Sequence, residues 1–533
     1  LNGEGGHADR LAPTRRELLQ LAGLGAAAAA AALTPAPGVA MEPLAGAARR
    51  LSPPPLPAPP PPLPPSPPDW AKLRARLTGS LVLPGDPGYD AARRSFNPLF
   101  DARRPAAVAR CAGPADVQAC VAAAAAARLP VAARGGGHSY AGYSTPEQGL
   151  VVDLGGMAGV DVRPDGTAIV GAGARLIDVY AALARAGRCL PAGSCPTVGI
   201  AGLTLGGGIG VLARKLGLTC DRLVLAQVVT ADAVLRTVTE GADAELFWAL
   251  RGGGGGNLGI VTSFTFSTAP APELTIFSLH FPAGAAAAVL AAWQAWAPAA
   301  PDELWSNCIL SSGSPPACRA GGCFAGTAAA LAPLLDDLVR RTGARPASRS
   351  VRSLPYLDAM RYFGGCSRRS VGECRLRGDG EGQLAREAFV ASSRMMPRPL
   401  ADPARAVALL ERPPGAPGVD LLFDALGGEV GRVPVAATAF PHRAALASVQ
   451  IYAATGAADP RHAMREARAV AEIGGGLDAL LGGGAGAYVN YLDPAMPDWA
   501  AACYGSNLGR LRAAARRYDP GGVFAFAQGL ASA

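Results

Sequence analysis

Apolar and polar positions alternate with a changing period along this chain. Residues 115–129 carry a helical spacing, with Asp116 in the first turn. Residues 130–133 read as a short strand that ends at a glycine run, and residues 149–154 as another. Residues 167–170 predict a strand, and residues 174–186 a helix whose apolar positions are Leu176, Ile177, Val179, Tyr180 and Leu183. Residues 223–239 read as two strands about the turn Ala231-Asp232-Ala233, 244–250 as a helix and 259–267 as a strand. Beyond Pro270 the texture changes. A strand at 274–281 and Ala-rich helices at 285–296 and 328–342 suggest a second α+β domain up to about residue 475. Aromatic and polar signals become dense again from residue 488. No fixed-period repeat is present.

The first 69 residues follow other rules. Thr14-Arg15-Arg16-Glu17-Leu18-Leu19 is a twin-arginine pattern. A weakly apolar run at 21–33 suits a signal segment and is too short to span a bilayer. Gly38-Val39-Ala40 offers small residues for cleavage, so residues 1–40 are expected to be a twin-arginine-type export signal. Residues 41–69 read as a proline-rich linker, expected to be a polyproline II spacer without donors for sheet or helix. A secreted or periplasmic destination follows. Such spacers are also compatible with a eukaryotic extracellular or plastid location.

Composition narrows the classes. Of 533 residues, 50% are apolar and 17% charged, enough to build packed cores. No apolar stretch reaches the length of a membrane span, so no stable membrane insertion is expected. The net charge of +8 comes almost wholly from scattered arginines, since Lys72 and Lys215 are the only lysines. No basic run interleaves with aromatics, which argues against nucleic-acid binding. The 11 cysteines are an odd number, which in an exported chain points to one thiol with a separate task and up to five disulfides among the rest. Cys318 and Cys323 lack zinc-ligand spacing and no metal site is expected. His280, His442 and His462 have no partner pattern and read as structural or surface residues.

Three glycine loops, at 134–139, 205–210 and 251–256, adjoin apolar strands. Successive glycines let the backbone approach a ligand and aim several N–H groups at one anion, which suits a pyrophosphate. Gly171-Ala172-Gly173-Ala174 lacks the third glycine of a dinucleotide fingerprint, so a nicotinamide Rossmann site is disfavoured. His138, behind three glycines, and Cys195, ahead of the second loop, are nucleophiles able to bond an electrophilic cofactor.

Arg134-Gly135-Gly136-Gly137-His138-Ser139, Gly193-Ser194-Cys195-Pro196-Thr197-Val198-Gly199, Gly202, Leu205-Gly206-Gly207-Gly208-Ile209-Gly210 and the stretch from Arg251 through Ile260-Val261 to Phe264 stand in a telling order. So do Tyr488-Val489-Asn490-Tyr491, Trp499, Tyr504-Gly505, Asn507, Tyr518-Asp519-Pro520, Phe524 and Gln528. Together they resemble the berberine-bridge-enzyme-like flavin oxidases of the vanillyl-alcohol-oxidase superfamily, over about residues 75–530. Cys503, Arg516 and Gly529 depart from the usual pattern, away from the expected chemistry.

The resemblance implies an α+β, two-domain PCMH-type FAD-binding fold. The FAD domain would be residues 70–270 completed by 476–533, with a substrate domain at 271–475. It implies FAD bonded to both His138 and Cys195, which would account for the odd cysteine. Contacts to the cofactor would come from residues 134–139, Thr197, Val198, Gly199, Gly202, Gly206, Gly207, Gly208, Gly210, Ile260, Val261, Tyr488 and Asn490. Tyr491 would be the base that takes a proton while hydride leaves an alcohol carbon of a sugar or secondary metabolite. In an extended segment Tyr488 and Asn490 would share one face and Tyr491 the other, so a bulge or twist is needed to bring all three to one ring. A small Val198 implies an oxidase that makes peroxide from O2. A dehydrogenase of the same fold and a wall-associated, non-catalytic flavoprotein are the alternatives. A monomer is expected.

Overall fold

The computed structural model describes residues 68–456 and 458–532. The expected export signal and nearly all of the proline-rich linker lie outside the described residues.

Two small sheets build the first region. Ser80–Val82, Ala107–Arg110, Leu150–Asp153 and Val131–Arg134 form a four-stranded sheet in that order, the last three mutually parallel. The helix Pro114–Ala127 supplies the crossover, with Pro114 in its first turn and Arg128 closing it in the left-handed region. Val160–Val162, Thr167–Gly171, Ile260–Ser267, Leu223–Val229 and Leu235–Val238 form an antiparallel five-stranded sheet. The turn between its last two sequence-adjacent strands holds Ala233 at a φ of 60°. Helices Leu176–Arg185 and Ala244–Leu250 cover this region, close to the spans their periodicity predicts.

The second region is one antiparallel sheet of seven strands, in the order Ser348–Leu354, Leu274–His280, Ala317–Phe324, Leu304–Ser311, Asp420–Ala425, Ala447–Ala454, Phe389–Met396. Helices Ala286–Trp296, Ala328–Thr342 and Pro460–Leu481 seal one face with Leu290, Trp293, Leu331, Leu335, Ile473 and Leu477. Ala328–Thr342 begins at Thr327, whose hydroxyl accepts the Ala330 N–H, and stops at Gly343 at a φ of 63°. The other face of the sheet stays open towards the glycine loops. Pro460–Leu481 packs on this sheet to its end, past residue 475, and the chain then returns to the first region. There Tyr504 donates to the Gly253 carbonyl and Asn257 accepts the Leu530 N–H.

The cysteines correct one expectation. Cys366 and Cys374 form a disulfide, and the other nine carry free thiols, eight of them buried. Parity therefore does not single out Cys195. Its exposure does, since it is the free cysteine that is not buried.

Candidate functional site

A cavity of about 1680 Å³ lies between the glycine loops and the open face of the seven-stranded sheet. That exceeds the roughly 300–1,000 Å³ of common small-molecule pockets and leaves room for a dinucleotide and a second ligand together. Among the described residues no helix is long and apolar enough to cross a membrane.

The loop after Val131–Arg134 forms one wall. Arg134 turns away from the cavity and is held by Asp153 at 2.6 and 3.0 Å, which fixes the loop's root. Gly135, Gly136, Gly137, His138 and Ser139 then line the cavity. No backbone bond among the described residues uses the N–H groups of Gly135, Gly136, Gly137 or Ser139. Consecutive unsatisfied donors on a cavity wall make an anion cradle. A Cβ on Gly136 would stand 2.1 Å from the Gly199 nitrogen, and one on Gly199 would stand 2.2 Å from the Gly136 nitrogen. Only glycine lets the two loops touch. Gly202, on the short helix Ile200–Leu205, has nothing within 4 Å of its own Cβ position, so open space begins there.

The loop contact brings the two nucleophiles together. His138 Nε2 lies 2.9 Å from Thr197 Oγ1, and Cys195 Sγ lies 3.6 Å from that same oxygen. Thr197 is 3% exposed and works from behind the wall. Phe96 stacks on the His138 ring at 3.8 Å, fixing its plane. Cys195, Val198 and Gly199 face the cavity, and so do Gly210 and Val261, whereas Ile260 is buried in its strand.

Gly206, Gly207 and Gly208 have a different task. They lie behind the wall, where added Cβ atoms would meet Asn490, Phe440 and Thr219. The N–H groups of Gly208 and Ile209 donate to Tyr488 Oη at 3.0 and 3.2 Å, so these two donors serve the protein rather than an anion. Burial pushes the Tyr488 phenol up to about 12, which keeps it neutral. Asn490 donates to Tyr488 Oη and to the Leu203 carbonyl.

The twist required of the tail is present. Val489–Tyr491 is a single 3₁₀ turn closed by Tyr491 N–H to Tyr488 O at 2.8 Å, not an extended strand. Tyr488, Asn490 and Tyr491 consequently all line the cavity. Tyr491 stacks on Tyr140 at 5.0 Å and meets Tyr488 edge-on at 4.9 Å. Gln450, from the seven-stranded sheet, donates to Tyr140 Oη at 2.6 Å. Phe96, Tyr140 and Gln450 went unread in the sequence. Tyr140 carried a signal, standing two residues after His138. Phe96 and Gln450 carried none, because only the fold brings them near. His442 sits behind this wall, with Nε2 against the Cys503 carbonyl at 3.1 Å.

Comparison with known proteins bears on this geometry. Residues 105–239 match the FAD binding domain family, and residues 487–531 match the family described as berberine and berberine like. An uncharacterized FAD-linked oxidoreductase of Bacillus subtilis, YgaK, is 34% identical over 464 residues, covering 86% of this chain and 98% of its own. The solved structure of BBE-like 1 from Physcomitrella patens superposes with a TM-score of 0.78 at 28% identity, over 87% of this chain and 99% of that one. Glucooligosaccharide oxidase from Acremonium strictum superposes with a TM-score of 0.73 at 29% identity, over 85% and 97%. That enzyme is described as carrying a 6-S-cysteinyl, 8α-N1-histidyl FAD.

Proposed function

Because this chain belongs to the berberine-bridge-enzyme-like FAD-linked oxidoreductases, we propose that it oxidises the anomeric hydroxyl of a saccharide, with FAD bonded to His138 and Cys195 and O2 as the final acceptor. The alcohol-oxidising, FAD-dependent character follows from the family. The observation that carries the finer reading is the pairing of His138 and Cys195 through Thr197, on one wall with the unpaired glycine N–H groups, in the cavity that Tyr491 also lines.

These residues fit the cofactor. The N–H run at Gly135–Gly137 and Ser139 would take its pyrophosphate, and Gly202 leaves clearance for its bulk. Thr197 engages His138 Nε2, so the covalent bond is assigned to Nδ1. When bound, FAD supplies the hydride acceptor. Tyr491 takes the hydroxyl proton as the C–H bond of the substrate breaks, which yields the lactone of an aldose. A phenol ordinarily loses its proton near pH 10. Tyr140 and Tyr488 hold the Tyr491 ring on two sides, so its oxygen is positioned before substrate arrives. Tyr488 does not compete for the role, because its oxygen is already occupied by N–H donors of Gly208, Ile209 and Asn490, while burial keeps it neutral. The small Val198 side chain supports oxygen access, with H2O2 as the product. The twin-arginine pattern at 14–19 supports export.

The test is a panel of reducing oligosaccharides, read by anaerobic bleaching of the flavin and by peroxide in air. Tyr491→Phe is expected to lower kcat by about 10²- to 10⁴-fold with flavin content unchanged. Bleaching without peroxide would replace O2 by another acceptor. A Tyr491→Phe variant with native kcat would remove Tyr491 as the base.

A further inference from the structure

Every deeply buried arginine that braces this fold has its partners. Arg134 is bonded to Asp153, Arg443 to Asp221 at 2.7 and 2.8 Å, and Arg214 to the Leu304, Leu426 and Ala300 carbonyls. Arg319, which is half-buried, differs from them. It lies on the third of the seven strands in the sheet, on the face that lines the cavity. No hydrogen bond or ion pair joins its guanidinium to any described residue. Burial weakens its hold on its proton, while Asp420 and Tyr362 act on it only at longer range. The other arginines on the sheet strands that line the cavity are engaged, Arg349 with Asp336 and Arg352 over the Tyr362 ring. A half-buried cation with no hydrogen-bonded partner, facing an open cavity, is best satisfied when an anion arrives.

Its distance from the chemistry follows from strand register. His280, Arg319, Ile309, Leu422 and Gln450 stand side by side across five strands, and all line the cavity. Gln450 holds Tyr140, which stacks on Tyr491. Arg319 is three strands from Gln450, about 14 Å at ~4.8 Å per strand, roughly the reach of a di- or trisaccharide.

We propose that Arg319 is an anion subsite, which receives the carboxylate of a uronic acid unit one or two sugars removed from the end being oxidised. The planar guanidinium fork matches a carboxylate with two parallel N–H···O bonds. Its neighbours across the sheet suit a sugar as well, with Asn307 and Ser278 in the adjacent row beside Gly321. This subsite defines the substrate as an acidic oligosaccharide, and to that extent rests on the saccharide oxidase reading.

The two readings are separated by measuring binding without turnover. Methyl glycosides of a glucuronate-terminated disaccharide and of its neutral glucose-terminated counterpart are titrated calorimetrically into the holoprotein. Neither has an anomeric hydroxyl to oxidise. The acidic glycoside is expected to bind about 10- to 100-fold more tightly. Arg319→Gln is expected to abolish that preference and Arg319→Lys to restore part of it, with the flavin spectrum confirming that each variant is folded. Equal affinities, no binding of either, or a preference that survives Arg319→Gln would overturn the subsite. Turnover of the corresponding reducing disaccharides is read separately. A retained acidic preference without turnover refutes the oxidase reading alone, and turnover without a preference refutes the subsite alone.

Discussion

At the scale of single residues, position relative to solvent decides what each titratable group does. Tyr488 and Tyr491 are three residues apart and both line the cavity, yet the Tyr488 hydroxyl is taken up by backbone donors while the Tyr491 ring is held between two other aromatic rings. Two further groups set the response to acid. Burial pushes the Asp420 carboxyl, 9% exposed, up to about 6 from 3.8. The native state then holds that proton more tightly than the unfolded chain, so stability is lost as pH rises between those values. Burial pushes His442 down to about 4 from 6.5, so stability is gained as pH rises through nearly the same window. At about 1.4 kcal/mol per unit each is on the order of 3 kcal/mol, and the two largely cancel. Chemical denaturation should show Asp420→Asn gaining about 2 kcal/mol over the parent between pH 4 and pH 7. His442→Gln should show the opposite trend. Differences independent of pH would contradict both assignments. Among site residues, the glycine-histidine and cysteine motifs were legible because their chemistry is local. Phe96 and Gln450 were not, because aromatic stacking and sheet register join residues remote in sequence.

At the scale of elements, the glycines divide into two kinds that look alike in sequence. Gly136 and Gly199 are glycine because two backbones touch, whereas Gly202 is glycine beside empty space. Gly136→Ala should cost about 1–3 kcal/mol by overpacking. Gly202→Leu should leave the apoprotein as stable or more so, since glycine within a helix costs about 1 kcal/mol, while flavin content falls sharply. Absorbance at the flavin band and thermal melts of the apoprotein check both. A Gly202→Leu protein with full flavin would mean that this wall is not the cofactor's. Helices 244–250 and 328–342 coincide with their periodicity, because the apolar spacing is written within each segment and the second is also capped by Thr327 and Gly343. Strand Ala317–Phe324 was hidden by Gly321 and Gly322, which disfavour a strand locally. A Cβ on Gly322 would strike the Trp305 carbonyl at 2.1 Å, so the sheet itself demands glycine there. At Val489–Tyr491 the need for a twist was legible, but its form as a 3₁₀ turn was not.

At the scale of the molecule, two regions enclose one cavity and are pinned around it. Arg214, on the short helix Ala213–Leu216, reaches three carbonyls of the second region, and Arg443 returns the tie to Asp221. The aromatic and aliphatic core of the first region runs on into Leu274, Ile276, Trp305 and Tyr356 of the second. The glycine loops and the open sheet face therefore meet at a fixed distance, and the cavity between them is preformed. The two-domain division was readable from the change in texture at Pro270, but the facing of one domain's loops onto the other's sheet was not. The central claim is that this preformed wall holds its flavin by two bonds, and it is tested most directly by mass spectrometry of flavin-labelled peptides after acid denaturation. One flavin should link the peptides containing His138 and Cys195. Each single alanine variant should keep the flavin on the remaining partner, and the double variant should release it to the supernatant. Flavin recovered free from the unaltered protein, or still attached in the double variant, would contradict the account.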